Sequence, residues 1–207
     1  GEAPPPASQP APPPAAVFWS ARQHAASGLV ADFVLGASIP LGDSTEQLGV
    51  GLRVGAHVGY AFRLGEAFTL APMVGIGSHD WGWKKGTFVT TSSGAVPVTG
   101  GVTMIQLLAG ARASYFVGAL GLHAGAHLGL GNLNVLFRDP FGVEVEDDRY
   151  GFSLAGELGA HLMFVKWIGA GLFVEFAKTF VGSIMNVEYG AMGLAIGLSA
   201  KGKLPFE

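Results

Sequence analysis

The sequence predicts an all-β chain, closed as an eight-stranded antiparallel up-and-down transmembrane β-barrel with short turns at one end and longer loops at the other. Three observations predict it. Between Leu48 and Leu64, Leu48, Val50, Leu52, Val54, Ala56, Val58, Tyr60, Phe62 and Leu64 share one parity, while glycines, Arg53, His57, Ala61 and Arg63 hold the other. That is the period of a strand. Segments of the same pattern recur to the end of the chain, separated by turn signals that are alternately short and long. Finally, the 207 residues contain only 13% charged residues and 33 glycines, with a mean hydropathy of +0.42. Yet the chain has no run of the roughly 18 apolar residues that a helical span requires.

Residues 1–27 are expected to be an N-terminal tether. Pro4, Pro5, Pro6, Pro10, Pro12, Pro13 and Pro14 stand among alanines, a composition that favours extended polyproline II and buries no core. Phe18, Trp19, Arg22 and His24 then leave room for a short helix at the rim or under the barrel mouth. The barrel is expected over 28–207. Its first strand runs from about Leu29 to Leu41 and turns at Asp43, Ser44 and Thr45 into the Leu48–Leu64 stretch. After Gly65-Glu66, a third strand carries Phe68, Leu70, Pro72, Val74 and Ile76 on its apolar face, with Thr69, Gly75, Gly77 and His79 opposite. A long loop through Trp81, Trp83, Lys84 and Lys85 leads to a fourth strand from Thr103 to Val117. Gly118 and Ala119 make a short turn into the fifth, Leu120 to Gly131, whose continuation over Val135 to Phe137 meets the turn Asp139-Pro140-Phe141-Gly142. The sixth strand spans Phe152 to Phe164. Lys166 and Trp167 turn it into the seventh, Ile168 to Phe176, and the eighth follows at Met192 to Lys201. An even count and apolar faces of about 9–11 residues or more suit closure across a bilayer.

Alternation alone does not separate a membrane barrel from a soluble one, but the second face does. A wetted face would carry Lys, Glu and Thr, and glycine there would weaken strands without gain. Inside about eight strands there is room only for packed side chains, so glycines make space for a few large Arg, His and Glu groups. Aromatic residues near short turns (Tyr60, Phe62, Phe68, Tyr115, Phe164, Trp167) and near long loops (Trp81, Trp83, Tyr150, Phe152, Phe180) match two interfacial girdles.

From about Gly28 to Leu204 this pattern resembles the small outer-membrane β-barrel proteins of Gram-negative bacteria, of the OmpA-barrel, OmpX and OmpW type. The resemblance implies short periplasmic turns with both termini on that side, longer extracellular loops, and insertion by the barrel-assembly machinery after removal of a signal peptide. A terminal aromatic is typical of that group. Here Phe206, with the parity of Leu198 and Leu204, is followed by Glu207.

The expected lumen holds Asp32, Arg53, His57, Gln106, Arg112, His123, His127, Glu157, His161, Glu175 and Lys201 as an ion-pair and polar network. Antiparallel pairing from the Lys166-Trp167 turn brings Glu157 near Glu175. Two such carboxylates repel, so Arg53 or Arg112 is expected to reach across. His123 and His127 have zinc-like spacing, but residues four apart on a strand lie ~13 Å apart, too far for two bonds of ~2.1 Å to one ion. A site across strands from His57, His127 and His161 is the remaining metal arrangement, and hydrogen-bonded lumen histidines are favoured over it. No metal or other cofactor is expected.

A net charge of −3 with scattered basic residues excludes an electrostatic footprint for nucleic acid. The absence of cysteine removes disulfide and thiolate chemistry. On the apolar face only Ser78, Asp80 and Lys178 interrupt, isolated near strand ends, so no catalytic constellation is expected. The expected function is non-enzymatic: a membrane anchor, structural or surface-interaction protein in contact with outer-membrane lipid and lipopolysaccharide. Its loops at 78–101 and 132–149 are the candidates for binding a surface ligand. The alternative is a narrow transport barrel for small or apolar solutes.

Overall fold

The computed structural model describes residues 21–42, 46–91, 94–165, 167–184 and 187–205. The Pro/Ala tether up to residue 20, the Asp43–Thr45 turn, Lys166 and the terminal Phe206 fall outside the described residues. One helical turn, α1 (Ala21–His24), precedes the strands β1 (Gly28–Pro40), β2 (Gly51–Arg63), β3 (Phe68–Gly82), β4 (Phe88–Thr91), β5 (Gly94–Pro97), β6 (Thr99–Val117), β7 (Leu120–Arg138), β8 (Glu144–Val165), β9 (Ile168–Ile184) and β10 (Val187–Pro205). Eight of them close into a barrel in the order β1-β10-β9-β8-β7-β6-β3-β2, while β4 and β5 form a separate hairpin in the connection from β3 to β6. Antiparallel pairing of β1 with β10, from Gly28 opposite Pro205 to Pro40 opposite Gly193, makes the closure. A closed ring satisfies the backbone where no water is available to do so.

Turn chemistry fits the connections. Gly118, at φ 59, takes the left-handed conformation in the tight β6–β7 turn. Between β7 and β8, the Asp139 carboxylate accepts from the backbone N–H of Phe141 (2.9 Å) and Val143 (2.8 Å), closing an Asx-type turn that ends in Gly142 at φ 84.

The outer wall is apolar. Leu107, Leu130, Leu158, Leu172 and Leu198 are each more than 60% exposed, an area no water-facing monomer would leave uncovered. Tyr115, Phe164 and Trp167 ring the short-turn end, and Phe152 stacks on Phe180 (6.3 Å) towards the other. Lys178 lies 4.5 Å over the Phe180 ring on this same face. A concavity of about 770 Å³ in the wall is lined by the outward Leu29, Val58, Pro72, Val74 and Leu204 together with the inward Met73 and Lys203.

Three expectations need correction. Trp81 is not in the girdle: parity along β3 turns it inward, where it is 2% exposed. Leu48 does not begin the lipid-facing row, because β2 starts at Gly51 and Leu48, bridged to Trp83, folds over the mouth and is buried. The segment 132–149 is mostly not a loop. Pairing continues from Asn132 opposite Tyr150 to Arg138 opposite Glu144, leaving only Asp139–Val143 as the connection. Alternation persists there because Leu133 and Val135 still have an interior to fill, and because Asn134 donates to Glu146 (2.5 Å) and Asp148 (3.1 Å) across the pair. Likewise 78–101 is the end of β3, the β4–β5 hairpin and the start of β6. β8 outruns β9: their pairing ends at Gly151 opposite Val181, and, among the described residues, 144–150 continue alongside β7 alone.

Candidate functional site

Inward parity on all eight strands points the polar residues of the chain at one another. Asp32, Arg53, His57, Gln106, Arg112, His123, His127, Glu157, His161, Glu175 and Lys201 are all buried, none more than 8% exposed. All six histidines of the protein are in this interior. Glycines clear the space. A Cβ on Gly55 or Gly77 would strike the Arg53 guanidinium, one on Gly121 the His161 ring, and one on Gly159 the His123 ring. A second group does something else: Gly36, Gly197, Gly110 and Gly129 abut the backbone of the neighbouring strand, letting main chains approach closely as the wall coils.

Two ion-pair centres result. In one, Arg53 donates from Nε (2.7 Å) and Nη2 (2.9 Å) to the two oxygens of Glu175. His79 Nε2–H donates to Glu175 Oε1 (3.1 Å), and the Ser38 hydroxyl donates to His79 Nδ1 (2.8 Å), which sets the ring tautomer. In the other, Arg112 donates from Nε (2.5 Å) and Nη2 (3.0 Å) to Glu157 and also pairs with Asp32, while His127 Nε2 lies 3.3 Å from Glu157 Oε1. Bidentate charge-assisted pairs of this kind are the strong and geometrically specific ones. Glu157 and Glu175 are indeed cross-strand partners. The expectation of one arginine reaching across is corrected: each carboxylate has its own.

The histidines sort into two stacks. His57 lies on His127 (5.5 Å between centroids), and His123 on His161 (5.6 Å). His161 therefore stands apart from the two residues it was grouped with, and no cluster of three or more His, Asp or Glu able to hold a metal ion occurs among the described residues. Lys201 donates to His161 Nδ1 at 3.4 Å. Gln106 Nε2 donates to Thr179 Oγ1 (3.2 Å), whose hydroxyl also meets that of Ser153 (2.5 Å).

Both ends of the polar interior are covered. Towards the long connections, Leu48, Trp81, Val102, Met104, Leu108, Leu133, Val135 and Val181 form an apolar cap. Trp83 stacks on Phe137 (5.0 Å) and donates its indole N–H to Leu136 O (2.8 Å) at its rim. Towards the short turns, α1 tucks inside the barrel: Ala25 is buried against Phe116 and Met163, His24 stacks on Phe116 (6.1 Å), and Lys203 donates to His24 O (2.7 Å). A cavity of about 20 Å³ remains above this floor, with Val30, Ala61, Thr69, Ala71, Arg112, Ser114, Phe116, Met163, Lys201 and Lys203 around it. Ser38, His79 and Ser153 share the inward parity but stand outside the expected network, while Thr179, Lys203 and the apolar cap are the interior residues that reasoning from polar candidates missed. Strict parity along each strand is the signal that finds them.

No family model matches the chain, and no curated protein matches it in sequence. Its structure is similar to that of Neisserial surface protein A (NspA), at 13% identity and a TM-score of 0.53, over 86% of this chain and 97% of that one. It also matches Ail, the attachment invasion locus protein of Yersinia pestis, at 12% identity and a TM-score of 0.47 over 86% and 97%. The N-terminal β-barrel domain of Pseudomonas aeruginosa OprF matches at 11% identity and 0.41 over 84% and 97%. The fold is that of the small eight-stranded outer-membrane β-barrels of Gram-negative bacteria.

Proposed function

We propose that this chain is a non-enzymatic integral outer-membrane protein whose barrel is a closed anchor and whose outer hairpins carry surface interactions. The observation that carries this reading is the packed interior: Arg53–Glu175 and Arg112–Glu157 cross the lumen between an apolar cap and the α1 floor. A path for solutes needs water along its length, and these contacts leave none of that width. The β7–β8 hairpin, with Phe141 88% exposed at its tip and Glu144, Glu146, Asp147 and Asp148 along β8, is the surface offered to a ligand or partner. Apolar wall and aromatic rims would contact lipid and lipopolysaccharide. The Pro/Ala-rich stretch ahead of α1 would act as the tether, and insertion by the barrel-assembly machinery after signal-peptide removal fits this placement.

Planar-bilayer recording tests it. The refolded protein should be silent, and Arg112→Ala should lower stability while leaving it silent. Stable unitary currents abolished by substitutions in the lumen would overturn the anchor reading in favour of a narrow transport barrel.

A further inference from the structure

The small cavity between the polar network and the α1 floor has an unusual lining. Arg112, Lys201 and Lys203 border it together with the hydroxyl-bearing Thr69 and Ser114, and among the described residues that line it there is no carboxylate. Arg112 is matched by Asp32 and Glu157. Among the described residues, neither lysine has an ion pair with an acid. Lys201 is 8% exposed, and its near polar contact is the His161 ring. Asp32 stands opposite Lys201 in register, but its carboxylate is turned to Arg112. Lys203 is 5% exposed and gives one proton to a backbone carbonyl, His24 O. An ammonium has three donors, so both lysines have donors to spare.

Charge counting points the same way. Arg53, Arg112, Lys201 and Lys203 face Asp32, Glu157 and Glu175 among the described interior residues, leaving one positive charge in excess. A buried ammonium without a counter-charge is expensive, so it either gives up its proton or takes up an anion, and a water molecule supplies dipoles but no charge. At about 20 Å³ the cavity has room for one small particle, of about the size of a water molecule or a halide ion.

We infer that this cavity is a buried site for a single monovalent halide, chloride by abundance, held by Lys201, Lys203 and Arg112 with the hydroxyls of Thr69 and Ser114. The ion completes the charge balance of the interior at the floor of the barrel.

The test uses the full chain refolded in detergent at constant pH and ionic strength. Replacing sodium gluconate, whose anion is too large to enter, by sodium chloride should raise Tm by several degrees with saturation, as expected for a ligand that binds only the folded state. Lys201→Met should abolish that dependence. Because the variant could fold poorly, the unmodified protein is also crystallised in bromide, which should give an anomalous peak between Lys201, Lys203 and Arg112. Equal Tm in the two salts, or a water without anomalous signal at that position, would overturn the assignment.

Discussion

Glu157 and Glu175 face one another across β8 and β9 as cross-strand partners, yet their carboxylates turn to different arginines, Arg112 on β6 and Arg53 on β2. Like charges directly opposite on a sheet are unfavourable, and the division of partners removes the conflict while tying four strands together through the interior. Removing one member strands a buried charge. Arg53→Met is therefore expected to cost ~3–5 kcal/mol, and adding Glu175→Leu to it should recover most of that loss. Equilibrium urea unfolding in micelles measures both, and a single-variant loss below about 1 kcal/mol would contradict the buried pair.

Gly77 tests the volume relation. A methyl group there meets the Arg53 guanidinium, whereas one at Gly65 meets nothing within 4 Å. Gly77→Ala should destabilise by ~1–3 kcal/mol through overpacking. Gly65→Ala should leave the unfolding midpoint unchanged, and equal effects of the two would remove the crowding argument.

Trp81 seals the outer end of the interior. Trp81→Ala is expected to cost ~3–5 kcal/mol, as for a large aromatic in a core. Tyr150→Ala, at a side chain 78% exposed, should stay within about 0.5 kcal/mol. The reverse order would place Trp81 in the girdle after all.

The projecting hairpin makes the orientation measurable. Chymotrypsin added to intact cells should cut after Phe141 and leave two fragments that remain associated as a barrel in cold detergent. Cleavage seen only after the cells are permeabilised would put the hairpin on the periplasmic side.

Legibility in the sequence followed the physics of the strand. Period-two alternation made the wall readable, because lipid demands an apolar side chain at every outward position, and the Gln106, Arg112 and Glu157 positions stood out against it. The interior was read only as far as it was polar. Met104 and Leu108 share parity with Gln106 and Arg112 and are 0% and 2% exposed, but an inward apolar residue looks like any other apolar residue. Trp81 was misplaced for the same reason, since an aromatic near a loop suits a girdle and a cap equally. The pairing of the histidines was not readable at all. Whether His127 meets His57 or His161 depends on strand tilt and on how side chains cross the lumen, and neither is a property of one strand.

Closing the barrel removes every sheet edge within the bilayer, but β8 rises past β9, and, among the described residues, 144–150 keep one side of their backbone without a neighbouring strand. Such a margin is a template for cross-chain pairing and, through that, for aggregation. Charged side chains are one guard against that, and Glu144, Glu146, Asp147 and Asp148 lie along this margin, with Glu144 paired to Arg138 and Asp147 to Arg149.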